Sequence, residues 1–129
     1  MMKYSMIRFF LLCVILLCLD FVYINLVKDM FLKQIQDVQK SQLQINYFGV
    51  VLCYFILATG FNHFIIKSNK NTYDAFLLGL MVYGVYETTN YALLKNWSPK
   101  IVIIDTLWGG ILFVLTKTIY DLIINKTKI

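Results

Sequence analysis

The sequence predicts an all-α fold, an integral membrane four-helix bundle with an interfacial amphipathic helix between helices 1 and 2. Three observations carry that prediction. Apolar residues make up 60% of the 129-residue chain and charged residues 15%, against about 45–50% and about 25% in ordinary soluble domains. Four stretches, 7–27, 47–66, 75–94 and 101–124, approach the roughly 20 mostly apolar residues that a bilayer crossing needs. Their connections are polar and carry residues that start helices.

The first stretch follows Lys3 and Arg8 but is not followed by a small-x-small cleavage site, so it is expected to be a retained helix and not a signal peptide. Between the first and second stretches, Lys28 to Asn46 is polar, yet Phe31, Ile35, Val38 and Ile45 recur at roughly helical spacing. That pattern predicts an amphipathic helix lying at the membrane interface. Lys67 to Asp74 is a polar turn whose Asn71 and Thr72 can cap the third stretch. Lys95 to Lys100 is a second turn, in which Ser98 caps and Pro99 takes the first helical position. Tyr47, Tyr73 and Trp97 stand where an aromatic belt is expected.

Residues 1–129 are expected to form a single transmembrane domain. The length excludes a multidomain enzyme with its own nucleotide-binding fold, and one Pro with six Gly excludes collagen-like and low-complexity classes. The net charge is +5, from 12 basic and 7 acidic residues. The basic residues flank apolar stretches, as expected for contact with anionic headgroups. The expected partner is therefore the lipid bilayer and not nucleic acid. Cys13, Cys18 and Cys53 lie inside apolar runs, are odd in number and form no CxxC pair. They read as apolar fillers, with neither a disulfide frame nor a zinc site.

Four crossings would bring both termini to one side. Lys3, Arg8, Lys67, Lys70, Lys126 and Lys128 would share it, with Lys28, Lys33, Lys40, Lys95 and Lys100 opposite. The excess of one cation favours termini in the cytoplasm.

The informative residues are the acids inside the apolar stretches. Asp20, Glu87 and Asp105 each cost about 2.5–3.5 kcal/mol at the centre of an inserted helix. Asp20 lies seven residues before Val27, Glu87 seven before Leu94 and Asp105 four after Ile101. At about 1.5 Å per residue all three sit about 6–10 Å below the surface opposite the termini. On the third stretch Gly79, Tyr83, Tyr86, Glu87 and Asn90 form a stripe at helical spacing, and on the fourth Asp105, Trp108, Gly109 and Leu112 do the same. Gly109 and Gly110 would allow close helix approach. Tyr23 stands one turn from Asp20, and Tyr54 reaches a similar depth. The candidate pocket is therefore Asp20, Tyr23, Tyr54, Tyr83, Tyr86, Glu87, Asn90, Asp105 and Trp108. His63 sits at the other end of its helix and reads as an interface residue.

The run Tyr83-Gly84-Val85-Tyr86-Glu87-Thr88-Thr89-Asn90-Tyr91-Ala92-Leu93-Leu94-Lys95-Asn96-Trp97, followed by Ile104-Asp105-Thr106-Leu107-Trp108-Gly109, resembles the signature of a family of small membrane proteins, domain of unknown function 2177. Leu19-Asp20 and the stretch from Tyr54 to Phe64, with Gly60-Phe61, are similar to their family counterparts. Glu87 departs from the pattern, since the family usually has Asp there. The resemblance implies a four-helix membrane protein and supplies no established activity.

Ser-His-Asp, HExxH and glycine-rich phosphate-loop patterns are missing from the sequence, which gives no support to hydrolase, zincin or nucleotide-dependent chemistry. No cofactor or bound metal is implied, although three carboxyls supply the oxygen donors that a hard cation takes. Two carboxylates could also serve as acid and base on a lipid-soluble substrate, so the sequence leaves open whether the protein is an enzyme. The acids point first to a pocket for a small or lipidic ligand, because intramembrane ionisable residues are by default functional. A proton- or cation-coupled small transporter, acting as a homo-oligomer, is the second reading. A non-catalytic scaffold or partner subunit, with the acids serving as hydrogen-bonded glue, is the third.

Overall fold

A computed structural model describes residues 2–129, with side chains from residue 3. Five helices follow in chain order: α1 (Met2–Leu26), α2 (Lys28–Gln39), α3 (Tyr47–Phe61), α4 (Thr72–Leu93) and α5 (Pro99–Thr127). A π-helical turn, Asn62–Ile66, extends α3. Three starts are sealed by side chains that accept from the first turn's amides: Asn46 from Gly49, Asn71 from Asp74 and Ser98 from Ile101, with Pro99 opening α5. The amphipathic segment forms a helix, but it stops at Gln39 and not Asn46, because Lys40 turns left-handed and closes it.

Three segments are long and apolar enough to cross a membrane: Lys3–Leu26, Tyr47–Ile66 and Pro99–Thr127. The expected fourth stretch, 75–94, is not among them. The 75–94 stretch is a helix, but Glu87, Thr88, Thr89 and Asn90 make its second half too polar to meet the same standard. The molecule is thus an all-α protein of five helices, with three candidate spans.

Phe10, Phe21, Phe48, Phe55 and Ile56 face outward. Lipid tails solvate such side chains as well as a protein interior does. Inside, Leu12 and Leu16 of α1, Ala58 and Phe61 of α3, Ala75 of α4, and Leu112 and Phe113 of α5 share one core. Phe61 meets Phe113 edge to face at 5.1 Å between ring centroids.

Two seams meet on α5. Along the α4 seam, glycines set the spacing: a Cβ on Gly79 would run into the Gly109 carbonyl, and a Cβ on Gly110 would lie 2.7 Å from the Phe76 ring. Along the α1 seam, Tyr23 meets Asp105 and Asp20 meets Trp108. Rising numbers on α1 thus meet falling numbers on α5, so the two helices are antiparallel. The Arg8 guanidinium accordingly donates to the backbone oxygen of Ile129, and the two chain ends lie together.

Candidate functional site

Asp20 is 7% exposed and Asp105 6%, while Glu87 is completely buried. Isolated carboxylates in such surroundings are costly unless hydrogen bonds compensate, and the site supplies donors unevenly. Both Asp20 oxygens are engaged: the Trp108 indole donates to Oδ1 at 2.8 Å and the Tyr54 hydroxyl donates to Oδ2. Asp20 therefore ties α1 to α5 and α3 together. Asp105 Oδ1 accepts from the Tyr23 hydroxyl at 3.1 Å, and the Tyr23 and Trp108 rings stack at 4.5 Å with planes 4° apart. On each helix an acid is followed three residues later by an aromatic donor, Asp20 by Tyr23 and Asp105 by Trp108. Each acid takes the donor of the other helix, which makes the α1–α5 contact reciprocal.

Glu87 differs. Trp97 donates to its Oε1 at 2.9 Å, but its Oε2 is buried without a partner. Trp97 therefore serves as a donor to an acid, which adds to its expected place in an aromatic belt. Its spacing of ten residues from Glu87, across a turn, carries no helical periodicity from which the contact could be read.

A cavity of about 610 Å³ adjoins these groups. Asp20, Tyr23, Tyr83, Tyr86 and Asp105 of the candidate set line it; Phe31, Ile35 and Leu57 are among the apolar groups of its wall, and Lys28 lines it as well. Tyr54, Glu87, Asn90 and Trp108 are not in the wall. Tyr54 and Trp108 hold Asp20 from behind. Asn90 is half-buried, and Tyr86 is 58% exposed. His63 is exposed, with its ring edge to face on Phe64.

Sequence periodicity also missed Gln34. It is 3% exposed, donates to the Asn96 carbonyl at 2.8 Å and accepts from the Ser98 amide at 2.8 Å. The Asn96 side chain in turn donates to the Asp37 carbonyl at 3.3 Å. These bonds fasten α2 to the α4–α5 turn and hold Phe31 and Ile35 over the cavity. Gln34 stands three residues after Phe31 and four before Val38, and a polar side chain on that apolar face was the available signal.

Among the described residues the ion pairs are Lys33 with Asp37 and Lys117 with Asp121, each within one helix. None neutralises the three acids. Among the same residues no group of three or more His, Cys, Asp or Glu side chains is placed to hold a metal ion. Cys13, Cys18 and Cys53 are free thiols, and Cys53 lies in the cavity wall.

The profile of a family described as Predicted membrane protein (DUF2177) matches residues 5–120. Neither a curated protein nor a solved structure matches the chain.

Proposed function

The chain belongs to the DUF2177 family of predicted membrane proteins, and from that premise we propose that it binds a lipidic ligand within the bilayer, in the cavity beside Asp20 and Asp105. The observation that carries this reading is the cavity's lining. Its volume of about 610 Å³ falls within the roughly 300–1,000 Å³ of ligand sites, which combine apolar walls with a few placed polar groups. Here the wall is mostly apolar, and the acids and tyrosines lie within it.

The reading includes α4 as a fourth crossing, making a four-helix bundle with α2 at the interface. The 22 residues of α4 extend about 33 Å at 1.5 Å per residue, enough for a hydrocarbon layer of about 30 Å. Its glycine seam and the Trp97 bond turn Gly79 and Glu87 inward, which removes the most costly side chain from lipid.

The test is lipid extraction and mass spectrometry of the purified protein alongside Asp20→Asn, Glu87→Gln and Asp105→Asn, which nearly preserve shape. A ligand site predicts an amphiphile that co-purifies with the parent and is reduced in folded Asp105→Asn. One observation favours a scaffold instead: each acid already accepts a bond from the protein's own Tyr or Trp. That reading predicts no specific amphiphile in the parent and no change across the series.

A further inference from the structure

We propose that α2 is a hinged lid over the cavity, latched by Gln34 to the α4–α5 turn, and that the ligand enters where α2 faces α3. The inference rests on the lipid-binding reading and adds how that site is reached.

The first argument is connectivity. Val27, with φ −112° and ψ 19°, interrupts the helical path between α1 and α2, and Lys40 ends α2 in the left-handed region. Residues 42–46 have no regular secondary structure before α3 begins at Tyr47. Helix α2 can therefore turn as a body about Val27 without unwinding either neighbour.

The second argument is what holds α2 down. Phe31 and Ile35 line a cavity of about 610 Å³, so the apolar side of α2 meets open space where a core would supply close contacts. Polar contacts then decide its position, and among the described residues those that fasten it to the bundle all go to one place. Gln34 donates to the Asn96 carbonyl and accepts from the Ser98 amide, each at 2.8 Å, and the Asn96 side chain donates to the Asp37 carbonyl at 3.3 Å. Lys33 pairs within α2, and Gln39 donates to Ser41 and Gln42 just beyond it. On the α3 side the cavity is lined by Leu43, Cys53 and Leu57, which are not among the partners of α2. The lid is thus fastened along one edge and free along the other.

The third argument is the character of the latch. Gln34 is 3% exposed, but in the reading above α2 lies at the membrane interface, where water and headgroups take up its amide once the lid lifts. Such an exchange costs far less than leaving buried groups unpaired, which keeps opening within thermal reach. The receiving turn is fixed from its other side: Trp97, between the two residues that Gln34 holds, donates to Glu87 at 2.9 Å. The latch therefore joins a movable helix to a turn anchored in α4.

The experiment has two readouts. Opening is measured without ligand, by pulsed electron paramagnetic resonance between spin labels on Lys33→Cys and Lys95→Cys, both at exposed positions, in the full chain with Cys13, Cys18 and Cys53 replaced by Ala. The parent should give one dominant distance, and Gln34→Leu, which removes two latch bonds, should add a longer one. Asn96 stands at φ 65°, which glycine adopts freely, so Asn96→Gly removes the bond to Asp37 without straining the turn. It should give a smaller change in the same direction, and it keeps the test available if Gln34→Leu folds poorly. Entry is measured in the chain with its native cysteines, by stopped-flow quenching of Trp emission with a terminally brominated dodecanol in maltoside micelles. Saturable quenching by this probe should associate and dissociate about tenfold faster in Gln34→Leu, because two hydrogen bonds no longer oppose opening. Half-saturation should stay within about twofold, since the open and closed forms exchange faster without a new preference for the probe. Unchanged spin-label distances in both variants overturn the latch, and parental quenching rates in an opened variant overturn α2 as the entrance; either result leaves the lipid-binding reading standing. Faster dissociation alone, with weakened binding, makes Gln34 a packing residue of the site and overturns the gate. Absence of saturable quenching in the parent overturns the lipid-binding reading, and the gate with it.

Discussion

Helix α5 is held in two different ways. Against α1 it uses polar side chains: Asp20 takes the Trp108 indole, Asp105 takes the Tyr23 hydroxyl, and the two donor rings stack. Against α4 it uses the lack of side chains, with Gly79, Gly109 and Gly110 bringing the backbones together. Within a membrane, association relies on close packing and interhelical hydrogen bonds, because lipid tails weaken any hydrophobic drive. The comparison separates acids that hold helices from acids that exceed that need. Asp20 is saturated by two donors, whereas Glu87 sits beside a seam that glycine packing already closes and keeps one oxygen without a partner.

The α4 seam should be the more brittle. At Gly79 a larger side chain meets the Gly109 carbonyl, and at Gly109 a Cβ would lie 2.5 Å from the Tyr83 Cβ. Gly79→Val is expected to cost about 3 kcal/mol or more, since helix backbones must separate to admit it. Loss of the monodisperse peak in detergent size exclusion would register this; a variant as stable as the parent would break the contrast between the seams.

The α1 seam should yield less. Trp108→Phe removes one donor to Asp20 and keeps most of the ring that stacks on Tyr23. The expected loss is about 0.6–1.7 kcal/mol, the span of interhelical hydrogen bonds in membranes. Reversible unfolding in mixed micelles would measure it, and Tyr54→Phe should couple to it because both donors serve the same carboxylate. Strict additivity of the two substitutions would contradict the shared anchor.

The smallest effect is expected at Glu87→Gln, within about 0.5 kcal/mol of the parent or more stable, because an amide can keep the Trp97 bond without burying a charge. The same unfolding assay decides. A loss above about 1.5 kcal/mol would make Glu87 a structural acid like Asp20.

Much of this architecture is legible in the sequence because apolar length, helix-starting residues and acid spacing are local properties. The runs 7–27, 47–66 and 101–124 and the Ser98-Pro99 start follow from neighbours within a few positions, whereas Asp20 and Asp105 take their aromatic donors from other helices. The third stretch was harder, since the Glu87 to Asn90 polar block that makes it interesting also removes it from the apolar class. What periodicity could not supply were contacts made across turns. Trp97 reaches Glu87, and Gln34 reaches Asn96 and Ser98, only because the chain reverses between α4 and α5. Tyr86, placed on the Glu87 stripe by spacing, is largely exposed and sits on the cavity wall, because the stripe is wider than the face that α5 covers.

The central claim is that the cavity between α2 and the long helices is a ligand site, and filling it tests this most directly. Leu57 is half-buried, lines the cavity and makes none of the acid hydrogen bonds, so Leu57→Trp should occupy that space while leaving the Asp20 and Asp105 contacts in place. Native mass spectrometry of the detergent-purified chain should then find a bound amphiphile on the parent and none on a folded Leu57→Trp variant. A parent that carries no amphiphile, or a variant that carries it to the same occupancy, would contradict the account.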